Sequence, residues 1–357
     1  MTGGLRRVLF LSHSHAFRAF RVGSHHYARE LARRGAEVVH LSTPISHVHR
    51  RLGRVSHSEE SRVPRGPHRD RDGVTHLVPR TTMPTPFGTL TAGRALRQHG
   101  IDTRFDAVLI DQPLLWDDSV RGLSDRLVYR PTDLYPAGVK ARMQKDIIAA
   151  ADGVTATSGE VLRGLGPLRQ PHLVVGNGVD TEHFVASAES ERSDVCIYVG
   201  ALDRRFDWQQ VCAWAQARPR VRFVVVGPSP EPPVPLPENI ELPGGVAYST
   251  LPTLLHSARV GMLPLSDDPL NAGRSPMKLY EYLAAGLSVV ARETPVLSDD
   301  VSAGLFTYSD EGTAIAALDD ALSHASPNVA GVGRARQQSW STKTDLLVDF
   351  VLKLPRR

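Results

Sequence analysis

The sequence NAGRSPMKLYEYLAAGLSVVA, residues 271–291, predicts a helix that is followed at once by a buried strand. Pro276 suits the first turn of a helix, because the first N–H groups of a helix have no intrahelical partner. Residues 277–285 are good helix formers, and Gly286 is a typical helix end. The β-branched and small residues 288–291 then favour a strand. This stretch therefore predicts one helix-to-strand step of an α/β sheet.

The start of this predicted helix lies beside a Gly-Arg-Ser loop and is suited to bind an anion. Its free N–H groups and the helix dipole, which contributes about 0.3–1 kcal/mol, favour negative charge. Arg274, Ser275 and Lys278 add further donors, so we expect a diphosphate to bind here. Glu281, further along the same helix, could accept hydrogen bonds from a ribose diol. The alternative is an ordinary solvated helix cap.

The same alternation of short apolar runs and longer amphipathic segments extends along the chain and is typical of βαβ units. The runs predicted as strands are residues 7–11, 37–41, 106–110, 127–129, 153–157, 194–200, 221–227, 239–242, 260–265, 288–291 and 305–308. Helices are predicted between them, including residues 24–34, with Ser24 as the capping residue, and residues 139–151.

A chain of 357 residues is long enough for two domains of about 150–180 residues, each with its own core. We expect an α/β protein with two Rossmann-like domains, residues 1–170 and 171–340, that face each other across a cleft. The polar residues 187–193 are the predicted linker. Residues 341–357 are predicted as a C-terminal helix that could cross back to the first domain.

Charge is distributed unevenly along the chain. Residues 1–170 hold 26 Lys+Arg against 16 Asp+Glu, and the remainder holds 16 against 22. We expect the basic half to face something anionic, such as a lipid pyrophosphate or a membrane surface, although arginine content can also reflect genome composition. The apolar runs are shorter than the roughly 18 residues that cross a bilayer, and no secretory signal is recognised. The sequence thus predicts a cytoplasmic protein with peripheral contact at the inner face of the cell membrane.

Several common chemistries lack their sequence signatures. Cys196 and Cys212 have no metal-ligand companions, so neither a disulfide framework nor a zinc site is expected. The absence of G-x-G-x-x-G after the first strand and of G-x-x-x-x-G-K-[ST] disfavours dehydrogenases and P-loop ATPases. Asp70 and Asp72 form a D-x-D without an apolar strand before it, so we expect no metal. Nothing indicates a nucleic-acid partner.

Separated segments resemble bacterial group 1 GT-B glycosyltransferases in the same order along the chain. SPMKLYEYLAAGLSVVA, residues 275–291, resembles their donor-site motif. GNGVDTEHF, residues 176–184, resembles their interdomain segment, and VGALDRRFDW, residues 199–208, the start of their nucleotide-binding domain. RVGSHHYARELARRG, residues 21–35, and YRPTDLYP, residues 129–136, resemble the branch that contains the xanthan glucuronosyltransferase and the teichuronic-acid transferases.

The resemblance implies a nucleotide-sugar site in the C-terminal domain, with a UDP-sugar favoured and no other cofactor. Lys278 would bind the diphosphate, and Glu281 would lie near the ribose or the sugar. Met277 and Tyr280 would lie near the nucleotide, although simple helix packing also explains both. Gly200, in the matched segment that begins this domain, would border the donor.

The resemblance also bears on the stereochemistry of transfer. In many retaining relatives a second glutamate stands eight positions before the matched one, where this chain has Gly273. The N-terminal match points to Asp133, in a loop after a predicted strand, as the base that takes the proton of the acceptor hydroxyl. Both features favour inversion. An ordinary aspartate, with a pKa of about 3.9, is a weak base, and Asp133 could instead only cap the next turn.

Histidines offer alternative acceptor-side groups. His13 and His15 follow the first strand, and His25 and His26 begin the next helix. Each could bind the acceptor or act as an alternative base, with His25 the first choice, and each could equally be a packing or surface residue. Arg21 is assigned to the acceptor side as well.

We therefore expect a metal-independent glycosyltransferase of the hexosyltransferase type, with a glycan, lipid-linked or natural-product acceptor. Lysine, arginine and the helix dipole would stabilise the leaving group. Two alternatives stay open: a non-catalytic GT-B-like subunit that binds a nucleotide sugar or a partner, and a nucleotide-sugar 2-epimerase. Residues 42–75 show no periodicity and are predicted as a mobile surface loop, either an inert insertion or a basic acceptor-side flap.

Overall fold

The chain divides into two compact units. The computed structural model describes residues 4–18, 20–53, 55, 57–85, 87–88, 90–186, 192–228, 232–275, 277–298 and 303–356. Unit 1 comprises Met1–Gly176 and Lys343–Arg357, and unit 2 comprises Asn177–Thr342. Most of the predicted linker, residues 187–193, and the predicted helix start at Pro276 lie outside the described residues.

Unit 1 is built on a mainly parallel sheet. Its strands are β1 Arg7–Ser12, β2 Glu37–Ser42, β3 Ile45–Ser46, β4 His68–Arg69, β5 Val74–Leu77, β6 Arg80–Thr81, β7 Ala107–Ile110, β8 Leu127–Tyr129, β9 Gly153–Ala156 and β10 His172–Val174. In the described part of the unit the main sheet has the order β10-β9-β8-β7-β1-β2-β5-β4, while β3 and β6 pair separately. Only the β4–β5 pair in this part of the main sheet is antiparallel. The central strands β1 and β7 are buried along almost their whole length, as parallel strands covered on both faces should be.

Helices cover the sheet of unit 1. They are α1 Gly23–Arg33, α2 His47–Arg51, α3 His57–Ser61, α4 Ala92–Gln98, α5 Gly138–Ala150 and α6 Gly159–Gly164. The start of α1 differs from the prediction, because Ser24 lies inside the helix and does not cap it. Instead, the Val22 N–H donates to Nδ1 of His25 (3.1 Å), and the Ser24 hydroxyl is hydrogen-bonded to Ser12 (2.8 Å).

Residues 42–75 contain short helices and strands, so the prediction of a loop without regular structure was wrong. This segment includes β3, α2, α3 and β4, and a small apolar cluster of Ile45, Val63 and Val78 anchors it. Elements of two to five residues are too short to produce a recognisable hydrophobic period, which explains why the sequence pattern did not reveal them.

Unit 2 is a second parallel α/β domain. Its strands are β11 Val195–Val199, β12 Arg222–Val226, β13 Ile240–Gly244, β14 Val260–Leu263, β15 Ser288–Arg292 and β16 Leu305–Tyr308. Their order in the described part is β13-β12-β11-β14-β15-β16. The helices that follow are α7 Trp208–Ala217, α8 Leu251–His256, α9 Met277–Ala284, α10 Pro295–Ser298, α11 Glu311–Ser323, α12 Val329–Gln337 and α13 Trp340–Lys353, whose last part belongs to unit 1.

Both units therefore have the Rossmann-like organisation that the strand and helix pattern predicted. The helix-to-strand step of residues 271–291 appears as α9 followed by β15, with Gly286 at a positive φ of 83° between them. None of the described helices is long and apolar enough to span a bilayer.

Candidate functional site

Loops at the carboxyl edge of the unit 2 sheet are tied together by backbone contacts. Phe206, after β11, forms a bridge with Leu265, after β14. The Ser266 N–H donates to the Arg205 carbonyl (2.9 Å), and the Asn271 side-chain amide donates to the Ser266 carbonyl (2.9 Å). Ligands of parallel α/β domains bind at this edge of the sheet. Asn271, just before the loop that contains Arg274 and Ser275, is thus hydrogen-bonded to the loop after β14, and that loop is in turn hydrogen-bonded to the loop after β11.

Lys278 extends from α9 directly over Gly200. A Cβ atom on Gly200 would lie 2.7 Å from Nζ of Lys278 and 2.8 Å from the Tyr198 hydroxyl oxygen. The ammonium group lies 5.6 Å from the centre of the Tyr198 ring, within reach of a cation–π interaction. A Cβ on Gly227, after β12, would in turn overlap the Gly200 carbonyl oxygen. Only glycine fits at position 227 in this arrangement, and a side chain at position 200 would displace the end of Lys278 or the Tyr198 hydroxyl.

Lys278 and Glu281 lie one turn apart on α9 and influence each other's ionisation. Burial lowers the pKa of Lys278, and the neighbouring Arg274 guanidinium lowers it further. Burial also raises the pKa of Glu281, while attraction to Lys278 opposes that rise. Arg205 also lowers the pKa of Lys278 and Asp203 raises it, so cations and carboxylates are mixed here. Lys278 and Arg274 are the cations of this group on or next to α9 that could donate to a phosphate group.

The other residues predicted to bind the nucleotide sugar differ in how accessible their side chains are to a ligand. Ser275 is held by Asn177, whose N–H donates to Oγ of Ser275 (2.9 Å) and whose side-chain amide donates to the Ser275 carbonyl (2.7 Å). Met277 and Tyr280 are half-buried, and Tyr280 packs against the core of unit 2. Packing therefore accounts for part of the role of Tyr280.

Asp133 lies in the loop after β8 in unit 1. Its carboxylate is half-buried and accepts a hydrogen bond from the Thr132 hydroxyl (3.2 Å). The ammonium group of Lys140, on α5, lies 4.9 Å from the centre of the Tyr135 ring, and the charge of Asp133 opposes the burial effect that lowers the pKa of Lys140. Asp133 thus stays within reach of a ligand, with a cation nearby.

A buried ion pair supports this edge of unit 1. Arg130, after β8, donates from Nε (2.8 Å) and Nη2 to the two carboxylate oxygens of Asp111, after β7. The Arg130 guanidinium also lies 4.9 Å from the centre of the Tyr27 ring on α1. His13, after β1, is near enough for the charges of Asp111 and Asp133 to oppose the lowering of its pKa by burial. The ends of β1, β7 and β8 therefore bring these polar groups together.

His25 lies inside unit 1. It is 3% exposed, its Nδ1 accepts from the Val22 N–H (3.1 Å), and its Nε2 donates to the Ser14 carbonyl (3.0 Å). Burial lowers its pKa to about 3. Since both ring nitrogens are engaged, this geometry favours a structural role for His25 over proton transfer from a substrate. His26, beside it, is buried as well.

A cavity of about 490 Å³ opens where β1, β2 and β7 end. His13, His15 and Arg18 line it on the side of β1, and Gln112 lines it on the side of β7. His15 is buried and lies 6.0 Å from Phe17, ring centre to ring centre, whereas Arg21 is half-buried and is not among the lining residues. We call this space the acceptor-side cavity.

Sequence reasoning did not single out Asp111, Arg130 or Lys140. Asp111 directly follows a buried strand, as Asp133 does, so the rule that strand ends carry ligands could have found it. Lys140 carries no such signal, because its nearness to Tyr135 depends on how α5 packs. Among the described residues, no three His, Cys, Asp or Glu side chains are grouped as metal ligands would be.

Comparisons with known proteins find similarity in one part of unit 2 to a family model and in about half of the chain to a curated protein. Residues 193–324 match the family model described as Glycosyl transferases group 1. The chain is 27% identical over 213 residues to the candidate teichuronic acid biosynthesis glycosyltransferase TuaH of Bacillus subtilis (strain 168). That alignment covers 54% of this chain and 52% of TuaH, so the chain spans about half the length of the curated relative it matches.

Several solved structures resemble almost the whole chain. Sucrose-phosphate synthase from Thermosynechococcus elongatus superposes with a TM-score of 0.69 at 15% identity, over 96% of this chain and 97% of that one. Anabaena HepE, solved in complex with UDP-glucose, has a TM-score of 0.67 at 16% identity, over 98% and 100% of the two chains. The GT-B fold is confirmed, and residues 193–324 of unit 2 are similar to group 1 glycosyltransferases.

Proposed function

We propose that this chain is a glycosyltransferase that moves a sugar from a nucleoside-diphosphate sugar, most favourably a UDP-sugar, to a hydroxyl group of an acceptor. The observation that carries this proposal is Lys278, laid over Gly200 at the carboxyl edge of the unit 2 sheet, within the residues that are similar to group 1 glycosyltransferases. HepE, which shares the fold, was solved with UDP-glucose bound. The name of TuaH associates it with teichuronic acid biosynthesis.

In the proposed reaction, the bond between the anomeric carbon and the diphosphate oxygen breaks, and its electron pair leaves with the nucleoside diphosphate. Lys278 and Arg274 would neutralise the negative charge that develops on the diphosphate, and the α9 dipole would add to this effect. These groups can supply leaving-group stabilisation without a metal ion, so we propose metal-independent transfer. Glu281 would accept hydrogen bonds from the donor.

We assign the role of base to Asp133. The acceptor hydroxyl oxygen would attack the anomeric carbon from the face opposite the leaving group, and its proton would pass to the Asp133 carboxylate, with inversion of configuration. The half-buried position of Asp133 after β8 leaves the carboxylate accessible. His25 is given a positioning role instead, because its two nitrogens hold Val22 and Ser14 in place.

We propose that a glycan, lipid-linked or natural-product acceptor binds in the acceptor-side cavity of unit 1. The excess of basic residues over residues 1–170 supports peripheral association with an anionic membrane. Sedimentation with anionic liposomes at low and high salt tests this association, and binding that does not respond to salt would contradict it.

The donor site is tested by thermal shift of the purified chain with UDP, GDP, TDP and CMP. A ligand that binds only the native state raises its apparent stability, so one diphosphate should raise Tm in the wild type and not in Lys278→Ala. Arg220→Ala is the matched control, since it removes an exposed cation just before β12, at the opposite edge of the same sheet.

Loss of the UDP shift in Arg220→Ala as well would show a general charge effect. If none of the four nucleotides stabilises the wild type, the donor site is wrong and the non-catalytic alternative gains support. Turnover of a UDP-sugar to its 2-epimer without an acceptor would favour the epimerase alternative.

A further inference from the structure

A second cavity in unit 1 is rich in arginine. It has a volume of about 460 Å³ and lies between α2 and the chain around residues 60–65 and 80–82. The side chains of Arg50, Arg65, Arg80 and His47 line it, together with Glu60. We call this space the arginine cavity. No residue in it has so far been given a role in transfer.

The charges that line the arginine cavity do not balance. Arg50 and Arg80 both donate to the same oxygen, Oε1 of Glu60, at 3.1 Å and 2.8 Å. Arg65 and His47 are exposed, and the side chain of neither makes a hydrogen bond or an ion pair with any residue that the structure describes. Three guanidinium groups against one carboxylate leave an excess of two positive charges among the lining residues.

The geometry of the cavity is preorganised. Arg80 also donates from Nη2 to the Val63 carbonyl (2.9 Å), which fixes its planar group at the cavity wall. Glu60 holds Arg50 beside it, so the two guanidiniums stay close together without a ligand. Guanidinium pairs match the oxygen atoms of phosphate in a two-pronged arrangement, and an excess of two charges matches a phosphate dianion.

The arginine cavity adjoins the acceptor-side cavity. Ile45, on β3, lines both of them, so the two cavities meet at this side chain. The arginine cavity contains three arginines, and the acceptor-side cavity contains Arg18 together with His13, His15 and Gln112. Such a pair of compartments fits a molecule whose hydroxyl-bearing part and phosphate part lie next to each other.

We propose that the arginine cavity binds a phosphate or diphosphate group of the acceptor, so that the acceptor is a phosphorylated molecule. The identification of the bound molecule as the acceptor rests on the proposed function, but the anion site itself does not depend on it. The shared chemistry is the phosphate group, which a soluble sugar phosphate or a prenyl diphosphate could supply.

The test uses the 357-residue chain with Lys278→Ala, in which the proposed donor site is disabled, and inorganic pyrophosphate as the probe. Isothermal titration should detect pyrophosphate binding that weakens as salt increases. Adding His47→Gln and Arg65→Gln should lower the affinity at least about tenfold, because the two changes remove the Arg65 charge and the His47 ring from the cavity lining. Both side chains are exposed and make no hydrogen bond or ion pair with the described residues, so these variants should fold normally.

Arg94→Gln is the control, because it removes an exposed guanidinium on α4 of the same unit, away from the cavity. Arg65→Lys should restore part of the affinity, because it keeps the charge and loses the planar fork. Equal pyrophosphate affinity with and without His47→Gln and Arg65→Gln would overturn the proposal, as would the absence of pyrophosphate binding.

Two further ligands distinguish the sources of the phosphate. Tighter binding of glucose 6-phosphate than of pyrophosphate supports the site with a soluble acceptor, and tighter binding of geranyl diphosphate supports it with a lipid-linked acceptor. Failure of the proposed function gives a separate result: the wild type would bind none of the nucleotides, while pyrophosphate binding would still depend on Arg65.

Discussion

At the scale of single residues, the proposed donor site depends on the close approach of Lys278 to Gly200. Lys278 could be predicted from its place in a helix beside an Arg-containing loop. The sequence indicated Gly200 only through its resemblance to a family motif. The structure gives the physical reason, because the Lys278 side chain passes directly over Gly200. A contact between residues 78 positions apart depends on packing, which local sequence patterns do not encode.

Gly200→Ala should therefore weaken UDP binding. The new methyl group would stand 2.7 Å from the present position of Lys278 Nζ and push the ammonium group away from its place over the Tyr198 ring. We expect at least about a tenfold rise in Kd, equivalent to roughly 1.4 kcal/mol, by isothermal titration. In the control Gly333→Ala, a Cβ meets nothing within 4 Å, so the affinity for UDP should stay unchanged. Unaltered UDP affinity in Gly200→Ala would argue against Lys278 as the diphosphate ligand.

Asp133→Asn should abolish most of the transfer while leaving donor binding intact. An amide keeps the shape of the side chain and its contact with Thr132 but cannot take up the acceptor proton, and loss of a general base lowers kcat by about 10²–10⁴-fold. Single-turnover transfer with a UDP-sugar measures the effect. Asp146→Asn, at an exposed position on α5, should retain activity. Near-normal kcat in Asp133→Asn would remove Asp133 from the mechanism.

At the scale of elements, β1, α1, β2 and β5 share a buried group of histidines. The His25 and His40 rings lie 4.6 Å apart, centre to centre, and His40 and His76 lie 5.5 Å apart. Ser24 links β1 to β2, since its hydroxyl is hydrogen-bonded to Ser12 (2.8 Å) and to Nε2 of His40 (3.0 Å). The sequence placed His25 at the start of a helix but did not indicate that the helix would turn this face inward against β2.

Unit 1 should lose stability as the pH falls below about 6.5. Burial lowers the pKa of His25 to about 3 and that of His40 well below its ordinary value. In the unfolded chain both residues take up protons near pH 6.5, and in the native state they do not. Each histidine therefore reduces the free energy of unfolding by up to about 1.4 kcal/mol per pH unit between pH 6.5 and its native pKa.

Hydrogen exchange of the amides in β1 and β2 at pH 7.5 and 5.0, corrected for intrinsic rates, measures this loss. His25→Gln has no group that titrates at this position, so its loss of protection should be smaller than that of the wild type. His172→Gln, at an exposed site on β10, should behave like the wild type. An equal loss in His25→Gln and the wild type would show that other groups control the acid response.

At the scale of the whole molecule, the sequence predicted more of the fold than of the sites. Strands such as β8 and β14 were found because apolar runs in a parallel sheet are buried on both faces and stand out from their surroundings. Short elements such as α2 and β3 were missed, and with them the arginine cavity, because its lining comes from three separated segments. The sequence motifs predicted the type of domain. The contacts of Asp111 with Arg130 and of Lys140 with Tyr135 could be found only in the folded structure.

The chain returns to unit 1 after unit 2, and this return depends on Gly153. A Cβ on Gly153 in β9 would lie 2.8 Å from Phe350 and 2.9 Å from Leu354, and Nε of Arg126 donates to the Leu354 carbonyl (3.1 Å). Gly153→Ala should therefore push the C-terminal segment off the sheet and destabilise unit 1 by about 1–3 kcal/mol, as overpacking does in other cores. Urea unfolding measures this change, with Gly66→Ala as the control, since a Cβ there meets nothing within 4 Å. Because the proposed donor residues lie in unit 2, the UDP affinity of Gly153→Ala should match that of the wild type. A free energy of unfolding equal to that of the Gly66→Ala control would show that the segment adapts to the methyl group, and a weakened UDP affinity would show that unit 2 depends on the packing of unit 1.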